Sequence, residues 1–280
     1  MRGMKVGELS VLLTGASGGI GRAVALALAR RGATLVVTSR NAARLEQLCE
    51  EIRAAGGRAH PVAADLTAPD GRRRVIAEAA SHGPVSVLIN NAGTGAFGEF
   101  ARQGDDDIER VIVTNVLATM LLTRSFLPLL KQRRGAVIVN VGSILGSLAL
   151  PGQVAYSASK FAVRGFTEGL RRELAGSSVR VVYVAPRATD TPMNGRELRR
   201  FNERFGVATD LPERVGEKIA RAVLRASGER YFGWPEKLIV RLNALLPAIV
   251  DRALRKQAQF VIHHPDESEP PLVLPQGAEQ

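Results

Sequence analysis

The 280-residue sequence predicts one doubly wound α/β domain. A mainly parallel sheet with helices on both faces is expected, followed by a C-terminal helical extension. Three observations carry this expectation. Short β-branched apolar runs alternate with longer runs of helical periodicity, the pattern of βαβ units with right-handed crossovers. The short runs lack polar alternation, as strands covered on both faces do. The first of them leads directly into Thr14-Gly15-Ala16-Ser17-Gly18-Gly19-Ile20-Gly21, a glycine-rich turn that opens a helix.

Val11 to Thr14 reads as the first strand, and Gly21 to Arg31 as a helix with Val24, Leu26 and Leu28 on its apolar side. Thr34 to Thr38 is the second strand. Asn41 caps a helix that runs to Ala55, because its side chain can accept from a free amide of the first turn. His60 to Ala63, Val85 to Asn90, Val137 to Val141 and Val179 to Val184 are strands three to six. Gly135 to Ser159 is uncharged and long enough to span a bilayer. Its Asn140, Pro151, Gln153 and four glycines favour a buried strand followed by a polar loop.

Hydrophobic residues are 45% and charged residues 23% of the chain, which excludes a disordered or collagen-like protein. Lys plus Arg is 38 against 27 acids, a formal charge of +11. Such an excess points to nucleic acid, an anionic membrane surface or an acidic ligand. Cys49 is alone, so no disulfide within the chain is expected, and a reducing, cytoplasmic location fits. It falls in a helix and reads as a small packed apolar residue. Met1 to Glu8 does not read as a secretory leader. Residues 265–280 hold four Pro, four acids and no base, the composition of a mobile tail.

The glycine turn sits between a strand and a helix N-terminus. There, backbone N–H groups and the helix dipole attract a pyrophosphate, and glycines let it approach. The Gly-x-x-x-Gly-x-Gly spacing after Thr14 resembles the short-chain dehydrogenase/reductase family, whose fold is a Rossmann-type sheet. Gly15, Ser17, Gly19, Ile20 and Gly21 are the expected contacts to a dinucleotide. Thr38-Ser39-Arg40 follows the second strand with no acid before Glu46. A carboxylate there would bind a ribose 2′-hydroxyl, whereas Arg40 and the Ser39 hydroxyl suit a 2′-phosphate. NADP(H) is therefore favoured over NAD(H), although many NADP-dependent relatives carry a second basic residue where this chain has Gly18.

Tyr156-Ser157-Ala158-Ser159-Lys160 places Tyr and Lys at i and i+4, on one face of a helix. A phenol titrates near pH 10, too high for efficient proton transfer at neutral pH. A neighbouring ammonium would lower it, so that Tyr156 could protonate an alkoxide or deprotonate an alcohol.

The family resemblance extends these residues to a set covering about residues 8 to 193. It implies that Ser143 hydrogen-bonds the substrate carbonyl and that Asn115 holds a water in a proton relay. It also implies that Lys160 holds the nicotinamide ribose. Asn90-Asn91-Ala92-Gly93 matches the family's Asn-Asn-Ala-Gly motif, with Asn91, Ala92 and Gly93 at the cofactor. Asp65-Leu66 matches its adenine contact, and Pro186, Thr189 and Thr191 fall at its nicotinamide and pyrophosphate contacts. One departure is Arg187, where the family has Gly. It could reshape the nicotinamide rim or reach a substrate acid, and its role stays open. Beyond residue 226 the family's last strand is hard to recognise.

The resemblance places a substrate lid at about 190–211. Arg196, Arg199, Arg200 and Arg204 there form either a solvated face or a contact to a phosphate or carboxylate. Phe201 and Phe205 share a face, either in the core or on the pocket. Residues 1–230 are expected to form the reductase domain and 231–264 an amphipathic helical extension divided by Pro247. The extension could pack on the domain or a dimer partner, cover an apolar substrate, or lie on a membrane. His263 and His264 have no carboxylate at metal spacing and read as surface residues, so no metal is expected. The expected activity is NADPH-dependent reduction of a hydrophobic ketone or aldehyde, or the reverse, by a homodimer or homotetramer. A 3-oxoacyl-thioester reductase is the second reading and a catalytically silent nucleotide sensor the third. The scattered basic residues argue against nucleic acid.

Overall fold

The computed structural model describes residues 9–263. The strands are β1 (Ser10–Thr14), β2 (Thr34–Ser39), β3 (Arg58–Ala63), β4 (Val87–Asn90), β5 (Val137–Val141), β6 (Arg180–Ala185) and β7 (Glu229–Tyr231). They form one sheet in the order β3-β2-β1-β4-β5-β6-β7. All neighbours run parallel. β7 is the strand that apolar patterning does not reveal. Its three residues are polar and half-buried, and it forms because the edge of β6 offers it a partner. Pro61 lies in β3, an edge strand, where its missing N–H costs the sheet no ladder bond.

Alternation along each strand feeds two cores. Val11, Leu13, Leu35, Val37, Val139 and Val184 face one side. They meet Leu28 of α1 (Gly19–Ala29), Ile52 of α2 (Ala42–Ala54) and Ile219 of α8 (Pro212–Arg225). Leu12, Val36, Leu88, Ile138 and Val181 face the other side, against Val75 of α3 (Pro69–Ser81) and Phe126 of α5 (Ala118–Lys131). Each such buried aliphatic side chain contributes about 1.5–3 kcal/mol of transfer free energy. Asn41 caps α2 by accepting from the Arg44 N–H at 2.9 Å. Cys49 is fully buried, and burial pushes its thiol up to about 11, so it behaves as an apolar residue.

α8 crosses α1 closely, since a Cβ on Gly216 would lie 2.6 Å from the Ala23 carbonyl carbon. Glu217 of α8 accepts from Arg30 and Arg31 at the end of α1, and these bonds hold its carboxyl down to about 2.

A continuous helix spans Asp105–Lys131 and is long and apolar enough to cross a bilayer by length and composition. Here Leu122, Phe126 and Leu130 of this helix are buried against the sheet. It comprises α4 (Asp105–Ile112), a π-helical turn (Val113–Leu117) and α5. After the buried strand β5 the chain enters the expected loop, which spans 142–153. A short turn at Ile144–Gly146 is followed by α6, which starts at Val154 and runs to Glu173.

The segment 190–211, expected as a lid, holds α7 (Arg196–Arg204), and its two ends meet at a Thr189–Asp210 bridge. The extension forms α9 (Glu236–Leu245), α10 (Pro247–Ala253) and α11 (Arg255–His263), divided at Pro247. Val240 and Val250 pack with Leu148 and Leu150 of the main domain. Phe260 of α11 meets Phe201 and Phe205, and Phe201 also meets Phe97, so Phe201 and Phe205 belong to an aromatic core between α7 and α11. The expectations for His264 and for the tail at 265–280 lie outside the described residues.

Candidate active site

The strand order reverses between β1 and β4, and the C-terminal ends of the strands open onto a crevice there. The glycine turn after β1 lies on one side of it. Gly15 has φ +63°, and a Cβ there would lie 2.7 Å from Ala92 Cα. At Gly21 a Cβ would lie 2.1 Å from the Gly15 carbonyl oxygen, and at Gly19 one would lie 2.7 Å from the Thr191 methyl. These three positions therefore exclude a side chain for steric reasons. Gly18 does not: it is exposed, its φ is −81°, and a Cβ there would come no closer than 3.4 Å to Gly15 O.

Thr14 and Asn91 brace the turn. The Thr14 hydroxyl accepts from the Asn91 and Ala92 N–H groups, both at 2.9 Å. The Asn91 amide donates to the carbonyls of Thr14 and Gly15. Asn91, expected as a cofactor contact, thus spends its side chain holding the turn against β4. The Ser17 hydroxyl of the turn bonds the Ser39 hydroxyl at the end of β2 at 2.8 Å, beside exposed Arg40. Burial raises the Asp65 carboxyl, but Thr67 N–H and O–H bonds and nearby Arg40 bring the net effect down. Leu66 follows Asp65 directly, and its carbonyl accepts from Arg72 at 2.7 Å.

The catalytic candidates converge from three elements. Ser143 follows β5, and its hydroxyl accepts from the Leu145 N–H at 3.1 Å, leaving its own proton to donate. Tyr156 lies in the first turn of α6, and Lys160 one turn further on. Lys160 Nζ donates to the Val141 carbonyl at 3.1 Å and lies 5.6 Å from the centre of the Tyr156 ring. Asn115 sits in the π turn, a distortion common at functional sites. Its amide donates to Thr94 O and Ser159 Oγ, and its oxygen accepts from Thr94 N–H. A Cβ on Gly93 would lie 3.2 Å from Asn115 Oδ1 and 3.7 Å from Lys160 Nζ, so this glycine leaves room for both groups.

The electrostatics correct one expectation. Burial pushes the Tyr156 phenol up to about 12, and the Ser143 hydroxyl only partly reverses this. Burial also brings Lys160 down to about 8. Removal from water dominates both shifts. Tyr156 is consequently held as a protonated donor at neutral pH, with Lys160 still mostly charged.

Arg187 is not a free cation. It donates to Asp210 at 2.7 Å and to Glu236 at 3.3 Å, while Lys218 holds the other Asp210 oxygen at 3.2 Å. The network ties the end of the 190–211 segment to α8 and α9. Gly233, at φ +108°, leaves room for it, since a Cβ there would lie 2.8 Å from Arg187 Cδ. Arg187→Ala is expected to lower unfolding free energy by about 3 kcal/mol, because the mostly buried carboxylates of Asp210 and Glu236 lose a partner. Urea denaturation measures this directly.

The cleft has a volume of about 1140 Å³. Ser143 and Tyr156 lie on it with Ile20, Pro186, Thr189 and Thr191, and apolar Phe97, Leu150, Met193 and Val207 line it. Arg196, Arg200 and His263 also border it. His263 is exposed, as expected, but it stands at the cleft.

Two supporting residues escape sequence reasoning. The Tyr183 hydroxyl donates to Ser143 O at 3.0 Å and accepts from Ser143 N–H at 3.3 Å, which fixes the backbone carrying that hydroxyl. Gly142 and Gly146 make room for it, since a Cβ on either would lie within 2.4 Å of Tyr183. Glycines on both sides of Ser143 and a lone Tyr in an aliphatic strand were the available signal. Ser159 joins Asn115 to the Tyr156 carbonyl, to which it donates at 2.6 Å.

Ser143, Tyr156 and Ile20 of the glycine turn thus share one cleft, and the similarity to known proteins shows an oxidoreductase acting on carbonyl or hydroxyl groups. The short chain dehydrogenase family model matches residues 10–200. The chain belongs to this family. It is 33% identical over 260 residues to the ketoacyl reductase HetN of Nostoc sp., covering 88% of each chain. It is 35% identical to the 3-oxoacyl-(acyl-carrier-protein) reductase FabG of Thermotoga maritima, over 74% of this chain and 87% of that one. Among solved structures, a short chain dehydrogenase of Burkholderia cenocepacia in complex with NADP superposes with a TM-score of 0.74 at 28% identity. It covers 84% of this chain and all of that one.

Proposed function

We propose that the protein is an NADPH-dependent reductase of a hydrophobic ketone or aldehyde. The observation that carries this reading is the meeting of Ser143 and Tyr156 on a cleft walled by Phe97, Leu150, Met193 and Val207. The turn fits a dinucleotide, since its glycines leave a backbone cradle that a Cβ would fill. Arg40 and Ser39 would hold the 2′-phosphate, Thr189 and Thr191 the nicotinamide end, and Lys160 the ribose. Bound NADPH would supply hydride to the carbonyl carbon. Ser143 binds and orients the carbonyl oxygen, and Tyr156 gives that oxygen its proton. The Lys160 ammonium stabilises the phenolate left behind. Asn115 and Ser159 hold the start of α6 in place.

A 3-oxoacyl thioester is the second reading, favoured by Arg196 and Arg200 at the cleft and by the names of the Nostoc and Thermotoga relatives. NADPH oxidation against long-chain ketones, ketosteroids, small aldehydes and acyl thioesters separates the two. Turnover of free ketones with none of thioesters supports the first reading, and the converse supports the second. Inactivity on the whole panel contradicts both.

A further inference from the structure

The outer side of the C-terminal extension is unlike the rest of the surface. Ala244 to Ile249 are six consecutive apolar residues, all exposed, at the turn between α9 and α10. Leu245 is 78% exposed, and Leu246 and Ile249 half-exposed. Leu238 lies two helical turns before Leu245 on the same face of α9, and Trp234 is 69% exposed just before that helix. This is not a helix awaiting its place in the core, because Val240 and Val250 already bury the inner side.

The charges around this tip are mostly positive. Arg241, Arg252, Arg255 and Lys256 are exposed, and none pairs with a carboxylate among the described residues. Lys237 lies 5.9 Å over the Trp234 ring. Of the acids in the three helices, Glu236 is taken by Arg187, which leaves only Asp251 on the surface.

We propose that the α9–α10 tip docks on an anionic lipid surface. Trp234, Leu238, Leu245, Leu246 and Ile249 would enter the interfacial layer, with the cations at the phosphate level. An apolar centre bordered by unpaired cations, with a Trp–Lys pair at its edge, is the pattern that headgroups and acyl chains match together. A second copy matches it less well, since a two-fold contact would set the same cations against each other. The acidic segment 265–280 complements the charge, but its one apolar cluster, Leu272-Val273-Leu274, is too small to cover five large side chains. The lipid surface would thereby come to an element whose last helix borders the substrate cleft through His263.

The test uses the full chain and reads binding rather than turnover, so it stands or falls apart from the reductase reading. Trp234 is the sole tryptophan, and its emission reports the tip directly. Vesicles of phosphatidylcholine containing about one third phosphatidylglycerol should blue-shift it and carry the protein into the pellet. Phosphatidylcholine alone should do so weakly, and about 0.5 M salt should weaken both signals. The double variant Leu245→Glu with Ile249→Glu should bind at least about tenfold more weakly while keeping its circular dichroism spectrum. Arg241→Gln with Arg252→Gln should lower binding to anionic vesicles only. Wild-type protein that stays in the supernatant overturns the proposal. So does vesicle binding that neither variant alters. A dimer in light scattering that the first variant dissociates, without vesicle binding, assigns the tip to a second copy. Binding that appears only when residues 264–280 are removed assigns it to the tail.

Discussion

Tyr156→Phe is expected to lower turnover by about a thousandfold while leaving NADPH affinity within about twofold. The substitution removes one hydroxyl and keeps the ring that fills this part of α6. On the proposed reading no other donor among the described residues suits the carbonyl oxygen, because Ser143 would bind that oxygen and Lys160 donates to the Val141 carbonyl. Stopped-flow NADPH oxidation gives the rate, and cofactor fluorescence titration gives the affinity. The wild-type pH profile adds a signature. Burial depresses Lys160 to about 8 and raises Tyr156 to about 12. A lowered cation pKa means the ammonium is present below about 8 and lost above it, whereas the phenol keeps its proton throughout. Reduction should therefore be flat up to about pH 8 and fall above it. A fall that begins near pH 10 would mean that Lys160 is not the group being titrated.

Arg40→Asp is expected to weaken NADPH binding by about a hundredfold and to bring NADH to equal or better use. The guanidinium lost is worth about 1.5–3 kcal/mol as a charge-assisted partner of a phosphate, and the carboxylate gained repels the same group. Arg40 is exposed and outside both cores, so stability should be nearly unchanged. Gly18→Arg provides the opposite test. Position 18 has room for a side chain and a φ that any residue adopts, so the variant should bind NADPH more tightly. Dissociation constants for both cofactors, measured on the two variants, decide whether the 2′-phosphate lies at Arg40.

The glycine turn and the six apolar strands could be read from the chain because their physics is local. A tight approach needs Gly at Gly15 and Gly21, and a strand buried on both faces needs an unbroken apolar run. β7 escapes that logic because Glu229, Arg230 and Tyr231 become a strand only beside β6. The open role of Arg187 has the same origin. Its partners Asp210 and Glu236 lie 23 and 49 residues away, and no spacing rule joins them. Tyr183 reads as another core residue until its hydroxyl is seen on the Ser143 backbone. The Tyr156–Lys160 pair was legible as a pair, but the direction of the phenol's shift was not, because sequence shows the neighbouring charge and not the depth of burial. His263 likewise reaches the cleft only through the fold of the extension.

Deuterium transfer is the most direct measure of the chemistry. Purified protein is incubated with NADPH deuterated at the transferable C4 position and a long-chain ketone, and the product is weighed by mass spectrometry. The account predicts an alcohol carrying one deuterium on its carbinol carbon, formed by wild-type protein and not by Tyr156→Phe. An alcohol without label, or equal labelled product from the variant, would contradict it.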